Sequence, residues 1–153
     1  MIKDLTTAKK IDGINQNVQF VFHPPNDTFK VFADKERIYQ VISNLIRNAA
    51  KFTSDDEAKI EIILEKVKND KKENEWISVK IRDNGTGIDP EILPRLFSKF
   101  TTKSEFGGTG LGLYISKKII EAHGGTIRGY NNNLKAEKKG ATFEFILSLY
   151  KTK

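Results

Sequence analysis

A single apolar stripe at helical spacing runs from about Lys35 to Phe52, and it is the strongest constraint on the fold. Asp34 stands where a helix N-cap belongs, and apolar residues then recur at positions 38, 41, 42, 45, 46 and 49. Because such a helix is amphipathic, its stripe has to be covered by a second layer of structure. The sequence therefore predicts a long helix packed on a sheet or on other helices.

Period-two alternation predicts the sheet that covers this stripe. The segments with strand-type patterns are 18–22, 29–32, 60–64, 77–81, 126–130 and 142–149. The first two are expected to pair with each other around the turn cluster His23–Asp27. In two of the later segments apolar residues alternate with polar ones: positions 60, 62 and 64 with Glu61 and Glu65, and positions 77, 79 and 81 with Ser78 and Lys80. Both segments are therefore predicted to be buried on one face only.

Two further helices are expected. One should start at Pro90, behind a capping Asp89, and run to about Phe97. The other should span 111–122 and end before two glycines. The resulting order, β-β-α-β-β-α-α-β-β, is not the alternation of a doubly wound parallel sheet. It predicts an α+β fold, a two-layer α/β sandwich with a mixed sheet of about five strands and three helices on one face.

Composition excludes several classes of protein. With 153 residues the chain is expected to form one domain, and the absence of cysteine excludes a disulfide scaffold, a cysteine-based zinc site and a cysteine nucleophile. No apolar run reaches the roughly 18 residues of a membrane span, and no signal-peptide stretch is present, so a cytoplasmic location is expected. The net charge of +6 favours an anionic partner without selecting one.

A glycine-rich segment, Gly107–Leu113, precedes the predicted helix 111–122. It is not a P-loop, because Leu113 and Tyr114 stand where Lys and Ser/Thr are required, and it lacks the third glycine of a dinucleotide-binding turn. Protein-kinase signatures are absent as well. A glycine-rich loop that leads into a helix still favours an anion, since free N–H groups and the helix dipole point at it. The alternative is a turn that is only flexible.

Asp83 continues the apolar phase of the strand 77–81, so its carboxylate is expected on the buried face. A buried carboxylate needs hydrogen-bond donors. The donor is either local, in an Asx turn over Asp83-Asn84-Gly85, or the amino group of a ligand. In the second case Gly85 and Gly87 would let a flat ring approach the backbone.

Asn44, Asn48 and Lys51 project from one strip of the predicted first helix. Asparagine is a poor helix former, so two on one strip suggest a use beyond the helix, although an exposed polar edge is the simpler alternative. An amide oxygen can be one hard ligand of Mg²⁺, while the lysine meets phosphate charge. The strip therefore suggests a magnesium–phosphate site.

Four ordered segments resemble the motifs of a known family. They are similar to the N box, the first glycine box, the F box and the second glycine box of the ATP-binding catalytic domain of sensor histidine kinases, and they lie at Asn44–Thr53, Asp83–Ile88, Leu96–Phe100 and Gly108–Leu113. This domain belongs to the superfamily shared with gyrase, heat-shock chaperone and mismatch-repair ATPases. The resemblance covers roughly residues 17–149 and implies a Bergerat-type ATP-binding fold.

The resemblance also implies roles for single residues. Asn48 should hold Mg²⁺, with Asn44 assisting at the metal and phosphates. Lys51 should contact phosphate, Phe52 should pack on the adenine side, and Asp83 should accept a hydrogen bond from the exocyclic amine of adenine. Further nucleotide contacts implied for the base pocket and the lid are Gly85, Gly87, Ile88, Phe97, Thr109, Gly110, Leu111, Gly112, Leu113 and Thr142.

The chain departs from the family pattern at two places. Many members have an arginine shortly after the F-box aromatic, whereas Thr101-Thr102-Lys103 stands here, so Lys103 is the candidate cation of the lid. The third glycine box, to which Thr142 is matched, keeps only Gly140.

One position separates kinases from hydrolases within the superfamily. The ATPases carry a glutamate one helical turn before the metal asparagine, and that place is occupied here by Asn44, which cannot act as a general base at neutral pH. Phosphoryl transfer to an acceptor is therefore favoured over hydrolysis. In the family the acceptor is a histidine followed by an acidic residue. His23 and His123 do not fit, and they are interpreted as a turn residue and a helix C-terminal residue.

The chain is thus predicted to be the catalytic domain of a two-component kinase, with ATP and Mg²⁺ as cofactors. Residues 1–16 are assigned to a linker or the end of a dimerisation helix, 17–150 to the catalytic domain and 151–153 to a tail. Expected partners are a histidine-bearing dimerisation domain and a response regulator, with no membrane contact by the domain itself. A serine-directed kinase of the anti-sigma type and an ATP-binding pseudo-enzyme stay open. Nucleic acid is disfavoured, because basic and acidic residues are interleaved.

Overall fold

The computed structural model describes residues 17–53, 57–68, 75–101, 108–132 and 140–150. These residues form one five-stranded sheet, two α-helices and a short 3-10 turn at Leu93–Arg95. The strands are β1 (Gln19–His23), β2 (Lys59–Lys68), β3 (Glu75–Asp83), β4 (Thr126–Asn131) and β5 (Ala141–Ser148). The helices are α1 (Lys35–Lys51) and α2 (Gly112–Ala122).

The sheet is mixed, in the order β1-β2-β3-β5-β4. β1 runs parallel to β2, and the other neighbours are antiparallel. This arrangement confirms the predicted α+β class and the five strands. The carboxyl end of β3 lies between the start of β2 and the start of β5, since Asp83 pairs with Ile60 and Arg82 with Thr142.

Helix α1 forms where the apolar stripe predicts it. Asp34 caps its N-terminus by accepting a hydrogen bond from the N–H of Arg37 at 3.1 Å. The stripe is buried against β2 and β3, and α2 packs beside α1 on the same core. The fully buried apolar side chains at the centre of this core are Val41, Ile42, Leu45, Ile46, Ile60, Ile62, Ile81, Ile120 and Phe145.

His123 ties the C-terminal end of α2 to the start of α1. Its Nδ1 lies 2.7 Å from the carbonyl oxygen of Ile119, and its Nε2 accepts a hydrogen bond from the backbone N–H of Asp34 at 3.1 Å. Both ring nitrogens are engaged by the backbone, so the prediction of a structural histidine at a helix end is confirmed.

Three local predictions are wrong. Residues 29–32 form no strand beside β1, because the chain crosses to the other end of the sheet, where Val31 makes an isolated bridge to Leu149. Segment 90–97 contains only the 3-10 turn, since Pro94 lacks the N–H that an α-helix needs there. The described residues therefore hold two α-helices, not three. His23 is the last residue of β1 and lies 3.5 Å from Glu61, not in a turn.

Among the described residues, no helix is long and apolar enough to cross a lipid bilayer.

Candidate functional site

Asp83 lies at the carboxyl end of β3 with its side chain only 3% exposed, on the buried face as predicted. Its Oδ1 accepts hydrogen bonds from the N–H groups of Gly85 at 2.9 Å and Ala141 at 3.2 Å. The first of these is the Asx turn that the sequence left open. Within the described residues no donor bonds to Oδ2, so one carboxylate oxygen is left for a ligand. Burial raises the pKa of Asp83, and the two N–H groups oppose this shift.

The glycine loop after Asp83 packs directly on the end of α1. A Cβ on Gly85 would lie 2.2 Å from the carbonyl oxygen of Phe52, which accepts a hydrogen bond from the N–H of Thr86 at 3.3 Å. Gly87 adopts φ +81, and a Cβ there would lie 2.8 Å from Oδ1 of Asn131. The close approach that requires these glycines is therefore made by the protein itself.

Asn131 and Asn132, at the end of β4, hold this loop and were missed by sequence reasoning. The side chain of Asn131 bonds to both the N–H and the carbonyl of Ile88, at 2.6 and 2.8 Å. Asn132 donates to the carbonyl oxygen of Asp83 at 2.9 Å. The available signal was the run of three asparagines at 131–133, which reads as turn residues unless the partners are known.

Thr142 does not come together with the Asp83 side chain. It pairs with Arg82, and successive residues of a strand point to opposite faces, so its side chain lies on the face away from Asp83. Ala141 is the residue beside Asp83 on the shared face. The Thr142 hydroxyl is fully buried and donates to Oδ1 of Asn132 at 2.5 Å.

On α1 the two asparagines of the predicted strip have different surroundings. Asn44 donates from Nδ2 to Oγ of Ser116 at 3.0 Å, and a Cβ on Gly112 would lie 2.6 Å from its Oδ1. Asn44 is therefore held in the seam between the helices. Asn48, one turn later, is half-buried, and within the described residues its amide makes no hydrogen bond.

Lys51 ends α1 and reaches the glycine segment before α2. A Cβ on Gly108 would lie 3.0 Å from Nζ of Lys51. Gly110, at φ +68, packs on the backbone of Phe100, where a Cβ would approach to 2.7 Å. Thr109 is exposed, and its Oγ1 accepts a hydrogen bond from the N–H of Leu111 at 3.3 Å. The structure thus brings Lys51 and the second glycine box together.

The remaining predicted residues are apolar or lie elsewhere. Ile88, Phe97 and Leu113 are half-buried and pack against the core. Leu111 is half-buried at the N-terminus of α2. Lys103, the candidate lid cation, lies outside the described residues.

The donor set for a metal is sparse. Within the part of the chain that the structure describes, no group of three or more His, Asp or Glu side chains could hold a metal ion. A hard cation that keeps most of its waters needs few protein ligands, and the unengaged amide of Asn48 suits Mg²⁺ in that role.

Sequence comparisons show which known proteins this chain resembles. The family model described as "Histidine kinase-, DNA gyrase B-, and HSP90-like ATPase" matches residues 33–151. Phytochrome-like protein Cph1 of Synechocystis is 40% identical over 122 residues, which are 78% of this chain and 15% of that protein. Sensor protein FixL of Bradyrhizobium diazoefficiens is 37% identical over 132 residues, which are 86% of this chain and 24% of that protein. The chain thus spans a quarter or less of these two curated relatives.

Solved structures give the same fold. The catalytic domain of histidine kinase ThkA superposes with a TM-score of 0.71 at 31% identity, over 96% of this chain and 87% of that one. The mycobacterial sensor histidine kinase MprB, at 20% identity, supports the fold alone, with a TM-score of 0.82 over 99% of this chain and 97% of that one. The chain therefore belongs to the histidine kinase-, DNA gyrase B- and HSP90-like ATPase family, as a catalytic domain of the sensor histidine kinase type.

Proposed function

We propose that this domain binds ATP with Mg²⁺ and donates the γ-phosphoryl group to a histidine on a separate dimerisation domain. The observation that carries the proposal is the Asp83 carboxylate. It is buried, fixed through Oδ1 by two backbone N–H groups, and has Oδ2 without a donor in the described residues. An acceptor in that state suits a ligand amino group such as the exocyclic amine of adenine.

The phosphate side of the site is formed by backbone and by one lysine. Helix α2 begins without a side-chain cap, whereas α1 is capped by Asp34. The uncapped N-terminus of α2 suits an anion, because its N–H groups and dipole favour negative charge. Lys51 adds a positive charge beside Gly108. Lys103 stays our candidate for a second cation.

Asn48 would hold the Mg²⁺, because its amide makes no hydrogen bond within the described residues and lies on the side of α1 that also carries Lys51. When bound, the ion supplies charge neutralisation for the phosphates. Phe52, Ile88 and Phe97 would pack around the base. Asp83 would hold the nucleotide by its base, so that the phosphates at the other end of the nucleotide lie toward Lys51 and α2.

Transfer is favoured over hydrolysis by the state of Asn44. A water-activating base is needed one turn before the metal ligand, and Asn44 offers an amide whose Nδ2 is bonded to Ser116. The domain therefore positions ATP for a nucleophile supplied by another domain, and the phosphoryl group is passed on to a response regulator.

The experiment is to mix this chain with γ-labelled ATP, Mg²⁺ and a histidine-bearing dimerisation domain, and to measure label on that domain. We expect label that is lost in acid and kept in alkali, because phosphohistidine is acid-labile. The control omits the dimerisation domain, and label on the catalytic chain itself is then expected to be absent.

Other outcomes identify the alternatives. Acid-stable label on an acceptor protein would indicate a serine-directed kinase. ATP binding without transfer to any acceptor would indicate a regulatory pseudo-enzyme of the same fold. Failure to bind ATP–Mg²⁺ would overturn the proposal as a whole.

A further inference from the structure

The side chain of Asn131 makes two hydrogen bonds to the backbone of Ile88, as the backbone of a neighbouring strand would. Its Oδ1 accepts from the N–H of Ile88 at 2.6 Å, and its Nδ2 donates to the carbonyl of the same residue at 2.8 Å. These two bonds fix the position of Ile88, with which none of the five described strands pairs. The end of the glycine loop is thereby attached to the end of β4.

Asn132 makes the matching attachment at the start of the loop. Its Nδ2 donates to the carbonyl oxygen of Asp83 at 2.9 Å, and its Oδ1 accepts from the hydroxyl of Thr142 at 2.5 Å. Its own N–H donates to the carbonyl of Gly140 at 3.2 Å. One amide therefore joins the end of β3 to the start of β5.

The backbone around the two asparagines is packed without spare volume. A Cβ on Gly140 would lie 2.0 Å from the carbonyl oxygen of Asp83 and 2.9 Å from Nδ2 of Asn132. A Cβ on Gly87 would lie 2.8 Å from Oδ1 of Asn131. The contacts hold Asp83 and the loop that follows it in one arrangement.

We propose that Asn131 and Asn132 are positioning residues that set the preference of the site for adenine. Both side chains engage the protein, and they act on the nucleotide through Asp83 and Ile88. We also assign Thr142 to this group of positioning residues. Its hydroxyl donates to Asn132, and its side chain lies on the face away from the Asp83 carboxylate. This inference rests on the proposed function, in which Asp83 binds the adenine amine.

The first test is Asn131→Ala in the full chain, with titration calorimetry of ATP–Mg²⁺ and GTP–Mg²⁺. Loss of two hydrogen bonds that fix the loop should weaken ATP binding about tenfold. GTP should lose less, because guanine carries a carbonyl where adenine carries the amine that meets Asp83. The ratio of ATP to GTP affinity is therefore expected to fall.

Ser78→Ala is the control. The hydroxyl of Ser78 is fully buried and donates to Glu144 at 2.6 Å. Ser78 lies on β3, as Asp83 does, but its side chain points to the opposite face of the sheet. The variant should lose free energy of unfolding, as Asn131→Ala does, and keep the ratio of ATP to GTP affinity.

The second test is a double-mutant cycle between Asn132→Ala and Thr142→Val. Valine fills nearly the volume of threonine, so this variant is expected to fold. If Thr142 acts through Asn132, the double variant should bind ATP about as well as Asn132→Ala alone. Additive losses of ATP affinity would show that Thr142 acts on the nucleotide independently of Asn132, and would overturn its assignment as a positioning residue.

The outcomes separate this inference from the proposed function. A wild-type chain that does not bind ATP would overturn both the proposed function and this inference. A wild-type chain that binds ATP, with Asn131→Ala unchanged in affinity and ratio, removes the inference alone. An equal loss of affinity for ATP and GTP in Asn131→Ala would also overturn the inference alone, because an unchanged ratio is what a purely structural loss gives. If Asn131→Ala does not fold, the ratio of ATP to GTP affinity in Thr142→Val decides, and an unchanged ratio would overturn the inference.

Discussion

The two ends of the site are built in different ways. At the base end, Asp83 is buried and the loop to Ile88 is held by hydrogen bonds from Gly85, Ala141 and the asparagines of β4. At the phosphate end, Lys51, Gly108 and Thr109 are exposed, and α2 begins without a side-chain cap. The base end is thus formed before a ligand arrives, while the phosphate end still has N–H groups to satisfy.

The difference follows from where each end sits on the fold. The base end lies among the ends of β3, β4 and β5, where strand pairing already fixes the backbone. A preformed site loses less freedom on binding, which improves affinity and selectivity. The phosphate end lies at helix termini, where the charge of the ligand completes the interactions. We therefore expect base-end changes to alter binding, and phosphate-end changes to alter transfer.

The largest effect is expected for Asp83→Asn. An amide in this place can still accept from Gly85 and Ala141, but it presents a donor to the adenine amine in place of an acceptor. ATP affinity should fall by about a hundredfold or more, as expected when a buried hydrogen bond to a charged group becomes a donor–donor contact. Calorimetric titration with ATP–Mg²⁺ measures the loss, and a folded variant with undiminished affinity would contradict the base-end assignment.

The same variant should not lose stability in the absence of nucleotide. Burial raises the pKa of Asp83, so the folded state binds its proton more tightly than the unfolded state does. Its ionisation therefore costs stability once the pH rises above the unfolded-state pKa. Denaturant unfolding should find Asp83→Asn at least as stable as wild type at pH 7, with the difference shrinking toward pH 4. A clear loss at pH 7 would show that the carboxylate itself stabilises the empty fold.

Asn48→Ala should have the next largest effect, on transfer and not on binding. Removing the amide proposed to hold Mg²⁺ should slow phosphoryl transfer by about a hundredfold, while ATP stays anchored at Asp83 and loses no more than about tenfold in affinity. Single-turnover transfer at saturating ATP measures the first quantity, and calorimetry the second. Arg47→Ala, an exposed neighbour on α1, is the control and should change neither.

Gly85→Ala tests how tightly the base end is packed against α1. The added Cβ would meet the carbonyl oxygen of Phe52 at 2.2 Å, and because this oxygen belongs to the backbone it cannot rotate away. We expect a loss of about 1–3 kcal/mol in the free energy of unfolding together with weaker ATP binding. In Gly124→Ala the Cβ meets nothing within 4 Å, but φ is +74. That control should cost about 1 kcal/mol and leave ATP affinity unchanged.

Much of the fold and part of the site could be predicted because their signals are local. The stripe of α1 and the alternation of β2 and β3 are periodic patterns, and the phase of β3 placed Asp83 on the buried face. The Asx turn to Gly85 spans two residues. One wrong prediction also has a local cause. The segment 90–97 was predicted to be a helix, and Pro94 alone prevents it.

What could not be predicted depends on pairing between distant residues. Asn131 and Ile88 are 43 positions apart, and no period in the sequence links them. The face of Thr142 depends on the register of β5 against β3, and a shift of one residue exchanges Thr142 with Ala141 beside Asp83. The motif resemblance identified the segment, but the register decides which of its side chains meets the site.

The smallest effect is expected for Ser116→Ala, and it tests whether the two ends are independent. Ser116 is 1% exposed, and its hydroxyl accepts from Asn44, so its removal leaves the amide of Asn44 without this partner. We expect a loss of about 1 kcal/mol in stability and a transfer rate lower by a few fold, because α1 and α2 are less firmly joined at the phosphate end. ATP affinity should be unchanged, since no bond at Asp83 is touched.

Ser78→Ala is the control. It removes a fully buried hydroxyl that is bonded to Glu144 at 2.6 Å on the opposite face of the sheet. It should therefore cost a similar amount of stability and leave transfer intact. If Ser116→Ala instead weakened ATP binding as much as Gly85→Ala does, the seam between the helices would have to control the base end as well. The contrast between a preformed base end and an open phosphate end would then not hold.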